Sequence, residues 1–255
     1  MSKEQILGID VGASGIKGAI IDLESGQLVT ERFRVTTPQP STTKAVAEAL
    51  NSVVKHFKWS GLIGVGFPSV IKDGVSYTAA NIHESWIEAN VKEIMSRKTG
   101  CEVYVCNDAD AAGLAEMAYG AGRKQKGTVL LITVGTGLGS ALFINGKMFP
   151  NTEFGHLYLK GQEQIAEQFA ADSVRKREGL SWSGWAQRFN LFLNLVNYTL
   201  YPDLIILGGG ASKKFEKFSE QLKSPAKVIP AQLLNNAGII GAALYAHQVQ
   251  LKEAY

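Results

Sequence analysis

Twice in this chain, once in each half, a short apolar run breaks into a glycine-rich reversal and resumes as a second apolar run. The first reads IDVGASGIKGAI over residues 9–20 and the second ITVGTGLGSAL over residues 132–142. Asp10 and Thr133 hold matching places 123 residues apart, close to half of the 255-residue length. An apolar run that turns on glycines and returns is a hairpin, so the repeat predicts two lobes with one ancestral plan. No period of 20 to 50 residues runs through the chain, which argues against a solenoid. No low-complexity linker separates the halves. We expect an N-terminal lobe over residues 1–107, joined by a C-terminal helix over 238–255, and a C-terminal lobe over 108–237.

Around the repeats, strands and helices alternate, as in an α/β protein. ILGIDV and IKGAIIDL flank the first reversal, and QLVTERFRV after the Ser25-Gly26 turn reads as a further strand. Val46, Leu50, Val54 and Phe57 recur at helical spacing, with Thr42 or Thr43 as N-cap. LIGVGF and EVYVC read as buried strands, with helices near 89–98 and 108–119. In the second half TVLLITV and SALFI flank the glycine turn. Helices are expected over 163–176 and 182–200. DLIIL runs into GGGAS and another helix, and KVI precedes a last helix from about Asn236.

Composition removes several function classes. With 45% apolar and 19% charged residues the chain is neither disordered nor fibrous. Its net charge of +3 and pI near 8.7 fall below the basicity of a dedicated nucleic-acid domain, roughly pI 9. An anionic ligand is favoured, and no nucleic acid is expected. Residues 127–146 carry no charge and match a membrane span in length, yet half of them are Gly, Thr, Ser or Asn, so a buried hairpin is expected and no membrane. Cys101 and Cys106 sit in a run that reads as one strand, where five residues span ~16 Å, too far for a disulfide at ~7 Å. Unpaired cysteines and an N-terminus without a signal-like apolar stretch predict a reducing, cytoplasmic setting.

The reversals carry the first chemical signal. Glycine supplies positive φ cheaply, so Gly12 and Gly15 could serve a tight hairpin and nothing more. Against that stand Asp10 before the turn, Ser14 within it, and the second set Thr133, Gly135, Thr136 and Gly137. Successive backbone N–H groups in such turns make concave anion sites. No GxxxxGK[ST] opens a helix here. Each glycine turn leads into a strand, unlike a dinucleotide fingerprint. Lys17 could meet phosphate as a point charge or be an exposed strand lysine. Asn107 and Asp108 sit where a strand gives way to a helix, a place that suits capping as well as catalysis. Asp110, two residues on, is expected to be solvated or capping. Basic groups at 123–126, 175–177 and 213–214 could guide a polyanion or be solvated helix faces. The apolar stretch at 182–201 suits a core and could also serve a homodimer contact.

In order, IDVGASGIKGAIID, GFPS, NDADAAGLAE, TVGTGLGSALFINGK, EFGH and PDLIILGGGAS resemble the ROK family of sugar kinases over residues 8–241, and within it the polyphosphate glucokinases. The resemblance implies an actin/hexokinase-like (ribonuclease H-like) duplicated two-lobe fold with a central cleft. It implies a glucokinase that moves a terminal phosphoryl group from polyphosphate, ATP or both to the 6-hydroxyl of glucose. By the family's pattern Asp108 is the carboxylate that accepts the hydroxyl proton. Asn81, Asn107, Glu153 and His156 fall where the family holds its sugar, a donor and acceptor set suited to a ring of hydroxyls. Gly208, Gly209 and Gly210 follow a buried strand and fall where the family places a nucleotide. Asp10 would hold Mg²⁺ through water.

The chain departs from many ROK members in lacking the cysteine cluster that follows the EGH-type motif, so no zinc is expected. The departure also blurs a second sugar-binding glutamate, for which Glu167 is the candidate, though it could equally be a solvated helix residue. ROK repressors carry an N-terminal helix-turn-helix, for which the motif beginning at Gly8 leaves no room ahead. A kinase for another hexose or an amino sugar stays open, because hydroxyl-binding groups do not fix the epimer.

Overall fold

A computed structural model of the chain describes residues 4–253. They form two compact units. One takes the chain up to Ala115 and again from Asn236, and the other runs from Glu116 to Asn235.

In the first unit, β1 (Gln5–Val11) and β2 (Ile16–Asp22) pair antiparallel over their whole lengths. The segment read as one further strand is two short ones, β3 (Gln27–Leu28) and β4 (Phe33–Val35), both paired to β2. Helix α1 (Thr43–His56) is capped by the Thr42 hydroxyl and buries Val46, Leu50, Val53 and Val54. Each such side chain contributes roughly 1.5–3 kcal/mol on burial. Strand β5 (Ile63–Phe67) lies parallel to β1, and β6 (Ile71–Lys72) and β7 (Val75–Ser76) form a small ribbon. Helix α2 (Val91–Thr99) leads to β8 (Val103–Asn107), parallel to β5, from which α3 (Asp108–Tyr119) starts at once. The sheet order is β3-β2-β1-β5-β8.

The second unit repeats this plan. β9 (Thr128–Val134) and β10 (Leu138–Ile144) form the second hairpin, and β11 (Lys147–Phe149) extends it. The helix expected over 163–176 is two pieces, α4 (Ala166–Ala170) and α5 (Asp172–Arg177), because Ala171 takes an extended φ of −67° and ψ of 158°. Helix α6 (Trp182–Leu200) buries Trp185, Phe189 and Phe192, and the Trp185 indole donates to the Ala170 carbonyl at 2.8 Å. Leu191 and Tyr198 stay exposed. Strand β12 (Leu204–Gly208) runs parallel to β9 and to β13 (Lys227–Pro230), giving β11-β10-β9-β12-β13. After β12 the expected helix is a 3-10 stretch, Gly210–Lys217. Helix α7 (Ala237–Glu253) returns the chain to the first unit and packs on β1 and β5. Each unit is thus a sheet in which an antiparallel hairpin is continued by two parallel strands, with its own apolar core. No helix among the described residues is long and apolar enough to cross a membrane.

Candidate active site

The first glycine turn occupies residues 12–15, between Val11 and its partner Ile16. Three of its four carbonyls are tied down. Gly15 O accepts from Gly12 N–H at 3.1 Å, Gly12 O from the Thr37 hydroxyl at 2.6 Å, and Ser14 O from the Arg34 guanidinium at 2.7 Å. The N–H groups of Ala13, Ser14 and Gly15 have no protein acceptor among the described residues. Acceptors satisfied and donors left open make a nest for an anion. Asp10 and Lys17 face each other across β1 and β2, with Lys17 Nζ 3.3 Å from Asp10 Oδ2.

In the second turn, residues 135–137, the pattern recurs with different partners. Gly137 O accepts from Gly135 N–H at 3.0 Å. Ser173 supplies both other bonds, its N–H to Gly135 O at 3.1 Å and its hydroxyl to Thr136 O at 2.6 Å. The N–H groups of Thr136 and Gly137 have no protein acceptor among the described residues. Thr133 sits one strand from Gly208 in the same sheet. Gly209 takes a φ of 75° and leaves no room for a methyl against the Val134 backbone, so a side chain is excluded twice over; nothing crowds Gly210.

None of Gly12, Gly15, Gly135 or Gly137 adopts the positive φ expected of a tight hairpin. Space explains two of them. A methyl at Gly15 would run into the Arg34 guanidinium, and one at Gly137 into the Glu167 carboxylate. Arg34 escaped the sequence reading because it lies in an ordinary strand segment with no motif around it. The one available signal was its alternation in FRV, opposite Lys17.

Three of the expected sugar residues gather in the second unit. Glu153 precedes and His156 ends a 3-10 turn, Phe154–His156, with His156 Nδ1 3.7 Å from Glu153 Oε2. The buried Ser140 hydroxyl fastens this segment to β10 by accepting from Phe154 N–H at 3.1 Å and donating to Thr152 O at 2.7 Å. Glu167, on α4, accepts from Leu138 N–H at 2.9 Å. Partial burial pushes the Glu153 carboxyl above its ordinary range; the His156 ring opposes that rise and the Glu167 charge adds to it. A desolvated carboxylate beside an imidazole and a second carboxylate can accept and donate hydrogen bonds to neighbouring hydroxyls.

In the first unit, Asn107 ends β8 and caps α3. Its Oδ1 accepts from Ala109 and Asp110 N–H at 2.8 and 3.1 Å, while Nδ2 donates to Ser69 O at 3.1 Å. Asn107 caps the helix, sharing the Ala109 N–H with Asp108 Oδ1, which accepts it at 2.8 Å; Asp108 is the first helical residue and half-exposed. Asp110 is not solvated. It is 1% exposed, because α7 lies so close over α3 that Gly241 abuts the Ala111 carbonyl. The Cys106 thiol is pushed well up, by burial first and then by the Asp110 and Asp108 charges. Burial and the charges of Cys106 and Asp110 push Tyr245 up to about 12. Asn81 lies exposed on the bend before the 3-10 turn Glu84–Trp86.

Among the described residues no three His, Cys, Asp or Glu side chains converge to hold a metal ion. Asp10 alone beside an open nest fits a hard cation that takes one carboxylate and completes its shell with phosphate and water oxygens.

The sequence model of the ROK family matches residues 6–170. The chain is 48% identical over 238 residues to the polyphosphate glucokinase of Mycobacterium tuberculosis, covering 93% of this chain and 89% of that one. Among solved structures it is similar to an inorganic polyphosphate/ATP-glucomannokinase from Arthrobacter sp. strain KM, with 43% identity, a TM-score of 0.93, and 96% and 99% of the two chains covered. A glucokinase of the family from Streptomyces griseus, solved with glucose and AMPPNP, shares the fold at 24% identity and a TM-score of 0.83, with 96% and 100% covered.

Proposed function

The chain belongs to the ROK family, and from that premise we infer that it is a glucokinase taking a terminal phosphoryl group from polyphosphate, ATP or both. The observation that carries this reading is the pair of glycine turns in which six of seven carbonyls are hydrogen-bonded within the protein while five N–H groups are open. Such donors stabilise the oxygens of a phosphoryl group in transfer, where positioning and charge stabilisation do most of the work.

The 6-hydroxyl oxygen of glucose attacks the terminal phosphorus, the O–P bond forms, and the bond to the bridging oxygen breaks, leaving a chain one phosphate shorter. Asp108 orients the hydroxyl and takes its proton. The fixed start of α3, capped by Asn107, holds Asp108 in place. Glu153, His156 and Glu167 bind the sugar hydroxyls, with Asn81 and the free N–H of Asn107 as further donors. Gly208, Gly209 and Gly210 lie beside the second turn, where a nucleotide donor would rest. Asp10, directly or through water, would hold Mg²⁺, which neutralises charge on the donor phosphates.

Replacing Asp108 by Asn tests this. Purified protein is assayed for glucose 6-phosphate with Mg²⁺ and either ATP or polyphosphate. The variant is expected to lose about 100-fold or more in kcat, as general-base losses do, and activity within threefold of wild type refutes the role. The likeness to a glucomannokinase makes mannose a second acceptor in the same assay.

A further inference from the structure

Asp10, Lys17 and Arg34 stand directly opposite one another on three neighbouring strands, β1, β2 and β4. Cross-strand partners point to the same face, and strands lie ~4.8 Å apart, so the three side chains form a row ~10 Å long at the end of the hairpin that carries the first glycine turn. The row runs from a carboxylate to two cations. Its outer member is held from behind. One N–H of the Arg34 guanidinium bonds Ser14 O at 2.7 Å, and the bare Cα of Gly15 leaves the space the guanidinium fills. Lys17 already leans on Asp10. Arg34 is exposed, and no carboxylate bonds it among the described residues. A guanidinium with a fixed back and an open fork is suited to two oxygens of one phosphate.

We propose that Arg34, with Lys17 beside it, binds the tail of an inorganic polyphosphate donor, the phosphates behind the one transferred at Asp10. The proposal rests on the kinase reading above and names what that reading leaves open, the part of the site that favours a phosphate chain. Beyond its third phosphate ATP offers an uncharged ribose, which gives a cation little to hold. A polyphosphate chain continues with charge.

The test compares wild type with Arg34→Gln, Arg34→Lys and, as a control for lost charge alone, Arg97→Gln. Arg97 lies on α2 with its side chain 77% exposed and paired to Glu93. Initial rates are measured against polyphosphate, ATP and glucose, and polyphosphate binding is titrated directly by calorimetry without glucose. Arg34→Gln is expected to raise the polyphosphate KM about tenfold, which is about 1.4 kcal/mol. The KM values for ATP and glucose should move less than twofold, and the polyphosphate KM should depend less on salt. Arg34→Lys should fall between, and Arg97→Gln should match wild type. An unchanged polyphosphate KM overturns the proposal. So does an equal rise for both donors, which would place Arg34 at phosphates the two share, and so does an equal effect of Arg97→Gln. Should Arg34→Gln lose the fold by circular dichroism, Arg34→Lys and the titration decide alone. A wild type that turns over neither donor defeats the kinase reading, while the titration still decides whether Arg34 holds the chain.

Discussion

The two glycine turns share one backbone design and differ in the charge pressed against them. In each, the first glycine N–H closes the turn and remote residues bond its other carbonyls, all but that of Ala13, while the central N–H groups stay open. Yet the bare Cα of Gly15 accommodates the Arg34 guanidinium, and that of Gly137 accommodates the Glu167 carboxylate. A cation beside an anion nest strengthens it, whereas a carboxylate opposes the phosphate its amides would bind. That carboxylate also raises Glu153, which stands beside His156. The two turns thus share one shape and differ in their neighbours, a guanidinium at the first and a carboxylate at the second.

Alanine at each bare position breaks this comparison most sharply. Gly137→Ala drives a methyl into Glu167, whose bond to Leu138 N–H fixes it to β10. A shift of about 1 Å in a positioning group can lower turnover about 100-fold, and a fall of that size in kcat, with a raised glucose KM, is expected in steady-state assays. Gly15→Ala meets the far end of a flexible arginine, which can swing away. Its expected effect is about a tenfold rise in polyphosphate KM, the loss of one charge-assisted hydrogen bond, with glucose KM unchanged. If the two variants show the same profile, the turns are equivalent after all.

Titration sharpens the same contrast at intermediate size. Because burial raises the native Glu153 pKa, the folded chain binds a proton there more readily than the unfolded chain. Stability from this group therefore falls as pH rises from the ordinary value of 4.5 through the raised one. Glu153→Gln should melt higher than wild type at pH 7, lose that advantage below pH 4.5 in thermal scans, and bind glucose poorly. Removing the neighbouring charge with Glu167→Gln should move the acidic limb of the glucose KM profile to lower pH. An unmoved limb would separate the two carboxylates.

The smallest effect is expected at Ser173, which serves only the second turn. Ser173→Ala leaves its N–H bond to Gly135 O and removes the hydroxyl bond to Thr136 O. Urea unfolding should report a loss of about 1 kcal/mol, with glucose KM within twofold of wild type. A larger kinetic effect would mean that the hydroxyl touches the donor.

Local pattern alone made much of this protein legible. Alternating apolar runs around IDVGASG and ITVGTGLG marked both hairpins, whose strands pair residue by residue as such runs require. Helical spacing marked α1, helices were expected where α3 and α6 lie, and the EFGH run holds Glu153 and His156 at one short turn. These features depend on neighbours within a few positions, which is where periodicity and capping act. What fills the space above each glycine was decided by the fold. Arg34 reaches Ser14 from 20 residues away, and Glu167 reaches Leu138 from 29. Asp110 is buried because a helix more than a hundred residues later lies across it. A glycine reads the same in sequence whether it frees the backbone or clears room for a distant side chain. The two uses separate only when the neighbouring strand and helix are set against the turn.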